Sequence, residues 1–376
     1  MRLFFLTTLL LLSFSLTAQT VTQPPSGNNQ KCEVTQYIGS LVKVTINYSS
    51  PNVTGPNGQD RTGQIWGQLV PYGLTDLGFG LQNPSPWRAG ANENTTISFS
   101  HDVEIQGQKI QAGTYGLHLI VEESQPWTII LSHNHTAWGS FFYKESEDAL
   151  RVTAEAEDAP FAQWLTYSFT DRQPDQCTVA MRWENKKLPF TIKVPEMTEV
   201  YLANMRQELE STAGFNWQGW NQAANYCLQQ NTNLEEALTW AENAVALPFI
   251  GQANFNTLST KAQLLYALDR KEEAETELQA AIAYPGANSF QIHVIGRQMI
   301  GSGDTKMALK VFEANHQRFE GAWPTEVGMA RGLSAVGRYA DAVKHAEIAL
   351  SQAPDQLNKD NLVQMIENLK AGKDVN

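Results

Sequence analysis

Cysteine is scarce. The 376-residue chain holds three, Cys32, Cys177 and Cys227, too few for a disulfide scaffold, so its stability must come from packed cores. Positive charge is short as well: 27 Lys and Arg stand against 39 Asp and Glu, a formal net charge of −12, which offers no basic surface to nucleic acid or an anionic membrane. Beyond the first residues no apolar run is long enough to span a bilayer. The common chemical signatures are missing too: there is no Gly-x-Ser-x-Gly elbow, no His-Glu-x-x-His helix and no glycine-rich phosphate loop. These absences remove the readily recognised enzyme classes and call for no cofactor.

What is present begins with Arg2, followed by an apolar run over residues 3–16 and then Thr17-Ala18-Gln19. That order suits a secretory signal occupying residues 1–18, so the mature chain is expected to be exported, to the periplasm, the cell surface or the medium. Residues 19–30 are polar and rich in turn formers, as in a flexible leader. Export permits one disulfide. Cys32 and Cys177 fall in the same half of the chain, and their pairing stays open because sequence does not say whether their Cα atoms come within the ~4.4–6.8 Å a bridge needs.

The pattern changes near residue 196, and the length exceeds what one core organises, so two domains are expected. Before that point apolar residues alternate: Val42, Val44, Ile46 and Tyr48; Tyr115, Leu117, Leu119 and Val121; Trp127, Ile129 and Leu131; Leu165, Tyr167 and Phe169; Cys177, Val179, Met181 and Trp183; Leu188, Phe190, Ile192 and Val194. Period two with polar residues between predicts an antiparallel β-sandwich over residues 31–195, each sheet with one wet face, built from roughly eight or nine strands.

After residue 196 the pattern is helical and repetitive. Residues 197–211 read as a linker helix. Ala274, Ala308 and Ala342 are spaced 34 apart, and Ala237 precedes the first by 37. The segments LEEALTWAENAVALP, KEEAETELQAAIAYP, TKMALKVFEANHQRF and YADAVKHAEIALSQAP each read as the second helix of a hairpin. Small residues recur upstream (Ala262, Gly296, Ala330) and downstream (Ala244, Ala281, Ala349), where helices approach closely. Pro248, Pro285 and Pro354 stop the second helices. This half resembles the tetratricopeptide repeat family over residues 214–356, with residues 360–369 as a capping helix. The resemblance implies an extended groove for a protein or peptide partner.

The first half carries a second resemblance. Tyr48-Ser49-Ser50-Pro51, Arg61, the run Gly67 to Gly73 (GQLVPYG), the run Trp87 to Thr95 (WRAGANENT), then Gly107, Ile110 to Tyr115 (IQAGTY), Trp127 to Leu131, Trp138-Gly139 and Tyr143 together resemble the secreted bacterial family called domain of unknown function 2911. It implies a fold and a compartment, and no established reaction. Here residues 74–86 (LTDLGFGLQNPSP) are inserted between the Pro-Tyr-Gly and Trp-Arg pieces, a loop expected to cover, reshape or close whatever lies there.

Candidate site residues follow from that stretch. In one reading it is a rigid corner: Arg88 and Glu93 satisfy each other, Asn92 and Gly90 take left-handed backbone, and Trp87 fills the core. In the other, Trp87 and Tyr115 form an apolar wall on which Arg88, Asn92 and Glu93 converge to hold an anionic or carbonyl-bearing ligand. His133 and His135 have the spacing that places two imidazoles on one side of a strand, and with His118, and His101 or Glu104 as a further ligand, they make a weaker metal candidate. The preferred function is an exported, non-enzymatic binding or scaffold protein; a metal-assisted hydrolase and a carbohydrate-binding module are the alternatives.

Overall fold

The computed structural model describes residues 24–376, so the expected signal of residues 1–18 and the start of the leader lie outside the described residues. The chain divides after Met197 into two compact units, one of strands and one of helices.

The first unit contains, in chain order, β1 (Gln30–Ile38), β2 (Val42–Ser50), β3 (Thr75–Asp76), β4 (Pro84–Ser85), β5 (Thr96–Phe99) and β6 (Val103–Ile105). There follow β7 (Gln108–Ile110), β8 (Gly113–Ile120), β9 (Trp127–Ser132), β10 (Asp148–Ala154), β11 (Glu157–Thr170) and β12 (Gln176–Lys193). One sheet has the order β1-β2-β5-β8-β9-β10, a second β11-β12-β6-β7, and β3-β4 is a separate hairpin; neighbouring strands run antiparallel. The alternating sets predicted from sequence are the buried ones: Val44, Ile46, Leu117, Leu119, Ile129, Leu165, Val179, Met181 and Ile192 are all at most 1% exposed. Burying each aliphatic side chain of this size stabilises the fold by ~1.5–3 kcal/mol. Tyr48 and Tyr167 meet edge to face at 4.9 Å, and Ser50 donates from Oγ to the Leu165 carbonyl at 2.7 Å, which ties one sheet to the other.

Two expectations change. The sheet does not keep a wet face at its centre, because β8 and β9 are buried on both sides, with His118 at 2% and Ile130 at 0% exposure. Residues 133–143 fold over that face, and the rings of His118 and Tyr143 lie 5.6 Å apart. The runs 177–183 and 188–194 are not two strands but one, β12. Trp183 and Leu188 are an odd number of residues apart, so a regular strand would turn them to opposite faces. Glu184, at φ 50° and 2% exposure, sits where the register against β11 shifts, and this irregularity returns both runs to the interior.

All three cysteines are free. Cys32 lies in β1 opposite Tyr48, and Cys177 is buried in β12 of the other sheet; the bridge left open by the sequence is not formed. The leader differs at its end as well: Ser26–Asn28 is a 3-10 turn, and its Ser26 carbonyl accepts from Asn92 Nδ2 at 3.1 Å.

The second unit contains α1 (Met197–Leu209), α2 (Trp217–Gln230), α3 (Leu234–Ala246), α4 (Phe255–Ala267), α5 (Lys271–Ala283), α6 (Ser289–Gly301), α7 (Thr305–Arg318), α8 (Trp323–Ala335), α9 (Tyr339–Gln352) and α10 (Gln356–Lys370). The pairs α2/α3, α4/α5, α6/α7 and α8/α9 are hairpins, and α10 packs on α9 as the expected cap. Asn216, Asn254, Asn288, Asp304 and Asp355 cap helix N-termini with their side chains, satisfying N–H groups that have no partner inside the helix. Asp269, Gly303 and Gly337 take positive φ between the helices of three hairpins. The small residues of the repeat are interior: Ala244, Ala262, Ala281, Ala330 and Ala349 are all 0% exposed. No helix among the described residues is long and apolar enough to cross a membrane.

A candidate ligand pocket beside the Trp87–Asn92 corner

The corner is built on the edge of β8. Trp87 exchanges both backbone hydrogen bonds with Leu119, at 2.8 Å each, and Thr95 accepts the Leu117 N–H at 2.7 Å. Between these anchors the chain loops out. Left-handed backbone falls on Ala89 (φ 52°) and Asn92 (φ 56°), not on Gly90. Gly90 is required for space: a Cβ there would lie 2.6 Å from Thr95 Oγ1 and 3.2 Å from the Ser49 carbonyl. Three carbonyls of the loop accept hydrogen bonds from side chains. That of Ala89 accepts from Tyr167 Oη (2.8 Å) and Thr95 Oγ1 (3.3 Å), that of Gly90 from Trp87 Nε1 (3.1 Å), and that of Asn92 from Arg88 Nη1 (2.6 Å).

The expected pairing of Arg88 with Glu93 is absent. Glu93 instead accepts from Lys31 Nζ (2.9 Å) and Ser49 Oγ (2.9 Å). Partial burial pushes its carboxyl up, and Lys31, its own backbone N–H and Ser49 outweigh that and hold it below the usual range. Arg88 meets no carboxylate among the described residues. Its guanidinium lies over the Phe141 ring at 4.9 Å, and a Cβ on Gly139 would stand 2.4 Å from it. Burial lowers the pKa of this cation. Of five N–H donors, one has a protein acceptor among the described residues.

Arg88 borders a cavity of about 360 Å³. Trp87 and Trp183 line one side, and Arg61, Asn92 and Ser140 supply further polar groups. The insertion of residues 74–86 forms the β3-β4 hairpin and contributes Thr75, Leu77, Ser85 and Pro86 to the lining. Its tip is held by Phe79 against Phe141, ring centroids 5.4 Å apart. Arg61 is spent on structure, donating to the carbonyls of Val53 (3.1 Å) and Asn52 (2.5 Å). Of the five ligand residues expected from sequence, Trp87, Arg88 and Asn92 line the cavity. Glu93 and Tyr115 do not; Tyr115 is buried between Phe99 and His133, and its hydroxyl donates to the Gln111 carbonyl at 3.0 Å.

The three metal candidates are not brought together. His118 is interior, with Nδ1 2.9 Å from Ser140 Oγ, while His133 is exposed beside Tyr115 and His135 is half-buried in the loop after β9. Among the described residues they do not form a group of three converging ligand atoms. Burial, and then the nearby Arg88 charge, push the His118 pKa down to about 4, so the ring is neutral at neutral pH. The Ser140–His118 pair was not legible in the sequence, since 22 residues separate its members and neither lies in a local motif. Four of the ten indoles cluster with one another: Trp66 lies 5.0 Å from Trp127, 5.9 Å from Trp87 and 5.8 Å from Trp183, whereas Trp138 is 52% exposed. Trp127 and Trp183 are interior, at 2% and 1% exposure.

In the helical unit a second cavity, also about 360 Å³, lies on the first helices of three hairpins. Asn221 and Asn225 of α2, Asn256 and Gln263 of α4, and Gln291 and Gln298 of α6 line it with amide groups.

Residues 29–192 match the model of a protein family described as "Protein of unknown function (DUF2911)". No curated protein matches the chain. Among solved structures, "YrrB: a TPR protein with an unusual peptide-binding site" is 15% identical, with 45% of this chain and 84% of that one covered and a TM-score of 0.28. A tetratricopeptide repeat protein from Parabacteroides merdae is 18% identical, covering 45% of this chain and 67% of that one, TM-score 0.29. A complex described as "TPR2AB-domain:pHSP90-complex of yeast Sti1" is 13% identical, covering 46% and 81%, TM-score 0.20.

Proposed function

We propose that this is an exported, non-enzymatic binding protein whose β-unit holds a small anionic ligand with an apolar body, and whose helical repeats take a protein or peptide partner. One observation carries the first half: Arg88, a half-buried cation at the wall of an indole-lined cavity, has among the described residues a single protein acceptor and no carboxylate. A guanidinium deprived of water and of an ion pair gains most from a ligand carboxylate, which accepts two parallel N–H bonds from its planar fork. Trp87 and Trp183 supply an apolar wall for the rest of the ligand. For the second half, the amides on α2, α4 and α6 both donate and accept, which matches the unpaired backbone of an extended peptide.

The test is thermal unfolding with benzoate, phenylacetate and indole-3-acetate beside their uncharged amides. The acids are expected to raise the midpoint and the amides not; at a concentration 100 times Kd the gain is about 2.7 kcal/mol. In Arg88→Leu the protein should keep its far-UV spectrum and lose the response. A variant that simply fails to fold would favour the purely structural corner, and equal shifts with acids and amides would contradict anion recognition.

The Ser140–His118 contact favours a second reading, an acyl-transfer site in which neutral His118 takes the Ser140 proton. It predicts hydrolysis of p-nitrophenyl acetate that disappears in Ser140→Ala. The absence of such turnover in wild-type protein removes it.

A further inference from the structure

The helical unit holds a cluster that the sequence patterns do not reveal. His316 on the last turn of α7, Glu326 near the start of α8 and His345 on α9 bring three ligand atoms within 4.8 Å of one another. His316 Nε2 lies 2.9 Å from one Glu326 oxygen and His345 Nδ1 lies 2.7 Å from the other. The Glu326 side chain is 5% exposed, whereas the imidazoles are 33% and 24% exposed and leave a way in from solvent. A Cβ on Gly321 would lie 3.9 Å from Glu326 Oε1, in ordinary contact, so the backbone there packs against the carboxylate.

Comparison of the repeats with one another makes the cluster stand out. Eight residues after the aligned alanines, the other units carry Val245, Ile282 and Leu350, and this one carries His316. Four residues before the recurring small residue stand Leu258 and Ile292, both buried, and then Glu326. The position of His345 is Trp240, Glu277 and Val311 in the earlier units, and Val311 is 1% exposed. Thus one hairpin junction gathers two imidazoles and a carboxylate at positions that are mostly apolar in the other aligned units, a substitution that packing alone does not call for.

We propose that His316, Glu326 and His345 form a binding site for a divalent transition ion of the zinc type, linking α7, α8 and α9. Two imidazoles and one carboxylate are a donor set that zinc accepts, with a fourth position left for water or a partner's side chain. A tetrahedral ion with bonds of ~2.0–2.1 Å needs ligand atoms roughly 3.3–3.4 Å apart, so the two contacts must open by about half an ångström. The half-exposed imidazoles can swing that far while buried Glu326 stays fixed. Binding requires both ligating nitrogens to be free of hydrogen: a neutral imidazole moves its proton to the other ring nitrogen, and a protonated one releases a proton.

The test uses the full chain without a histidine tag. Zinc content after equilibrium dialysis should reach one equivalent, cobalt(II) should give the intense visible bands of a tetrahedral ion, and chelator should lower the unfolding midpoint. His316→Asn and His345→Asn should each weaken binding at least tenfold, and His133→Asn with His135→Asn should leave it unchanged. Should either cluster variant fail to fold, the wild-type cobalt spectrum and stoichiometry decide. Folded wild-type protein that binds neither ion, or binding lost only with the His133 and His135 changes, would overturn the assignment.

Discussion

Arg88 sets the properties of the β-unit at the scale of single residues. Its position depends on Gly139, which lies at φ 61° and whose missing Cβ makes room for the guanidinium. Gly139→Ala should therefore cost on the order of 1–3 kcal/mol in unfolding free energy and also weaken carboxylate binding, because backbone strain and displacement of Arg88 act together. Urea unfolding and ligand titration on the same sample separate the two effects. His118 makes a second prediction. Held near pKa 4 when folded, against about 6.5 when unfolded, it binds its proton only in the unfolded chain between those values. The folded state then loses stability as pH falls from 6.5 to 4, by roughly 3 kcal/mol if no other group compensates. His118→Asn should flatten the pH dependence of the unfolding midpoint over that window. Trp87, Arg88 and Asn92 were legible as a site because they are adjacent in sequence. The partners of Glu93 and His118 were not, since Lys31 and Ser140 reach them only through strand pairing and a folded-back loop.

Elements were legible wherever a period repeated. Alternation gave the buried faces of β2, β8, β9, β11 and β12, and the spacing of 34 gave the hairpins. Elements without a period were not: β3 and β4 are two residues each, too short to carry alternation, and the continuity of β12 depends on one left-handed residue, Glu184. Close helix packing yields a prediction here. Phe312 of α7, 0% exposed, is enclosed by three glycines, and a Cβ on Gly296, Gly328 or Gly332 would come within 2.5, 2.6 or 2.8 Å of its ring. In an exposed helix, alanine in place of glycine stabilises by up to ~1 kcal/mol. At Gly296 the ring has nowhere to retreat, so Gly296→Ala should instead destabilise the helical unit by about 1–3 kcal/mol, measured by chemical unfolding followed by far-UV circular dichroism.

For the whole molecule, the division after Met197 separates a strand-built core from a helical one. Residues 24–197 and 198–376, expressed separately, should each unfold cooperatively with the spectrum of their own secondary structure. A piece that stays unfolded alone would show that its core is incomplete. The division also lets the proposed binding activities be assayed apart, the carboxylate pocket in one piece and the peptide groove and zinc site in the other. The account as a whole rests on Arg88 being a ligand-binding group and not only a strut for the Asn92 carbonyl. Calorimetric titration of indole-3-acetate into wild-type and Arg88→Leu protein, both with verified folds, tests this most directly. Affinity at least tenfold lower in the variant, a loss of about 1.4 kcal/mol or more, is the predicted result; equal affinity in the two proteins would contradict it.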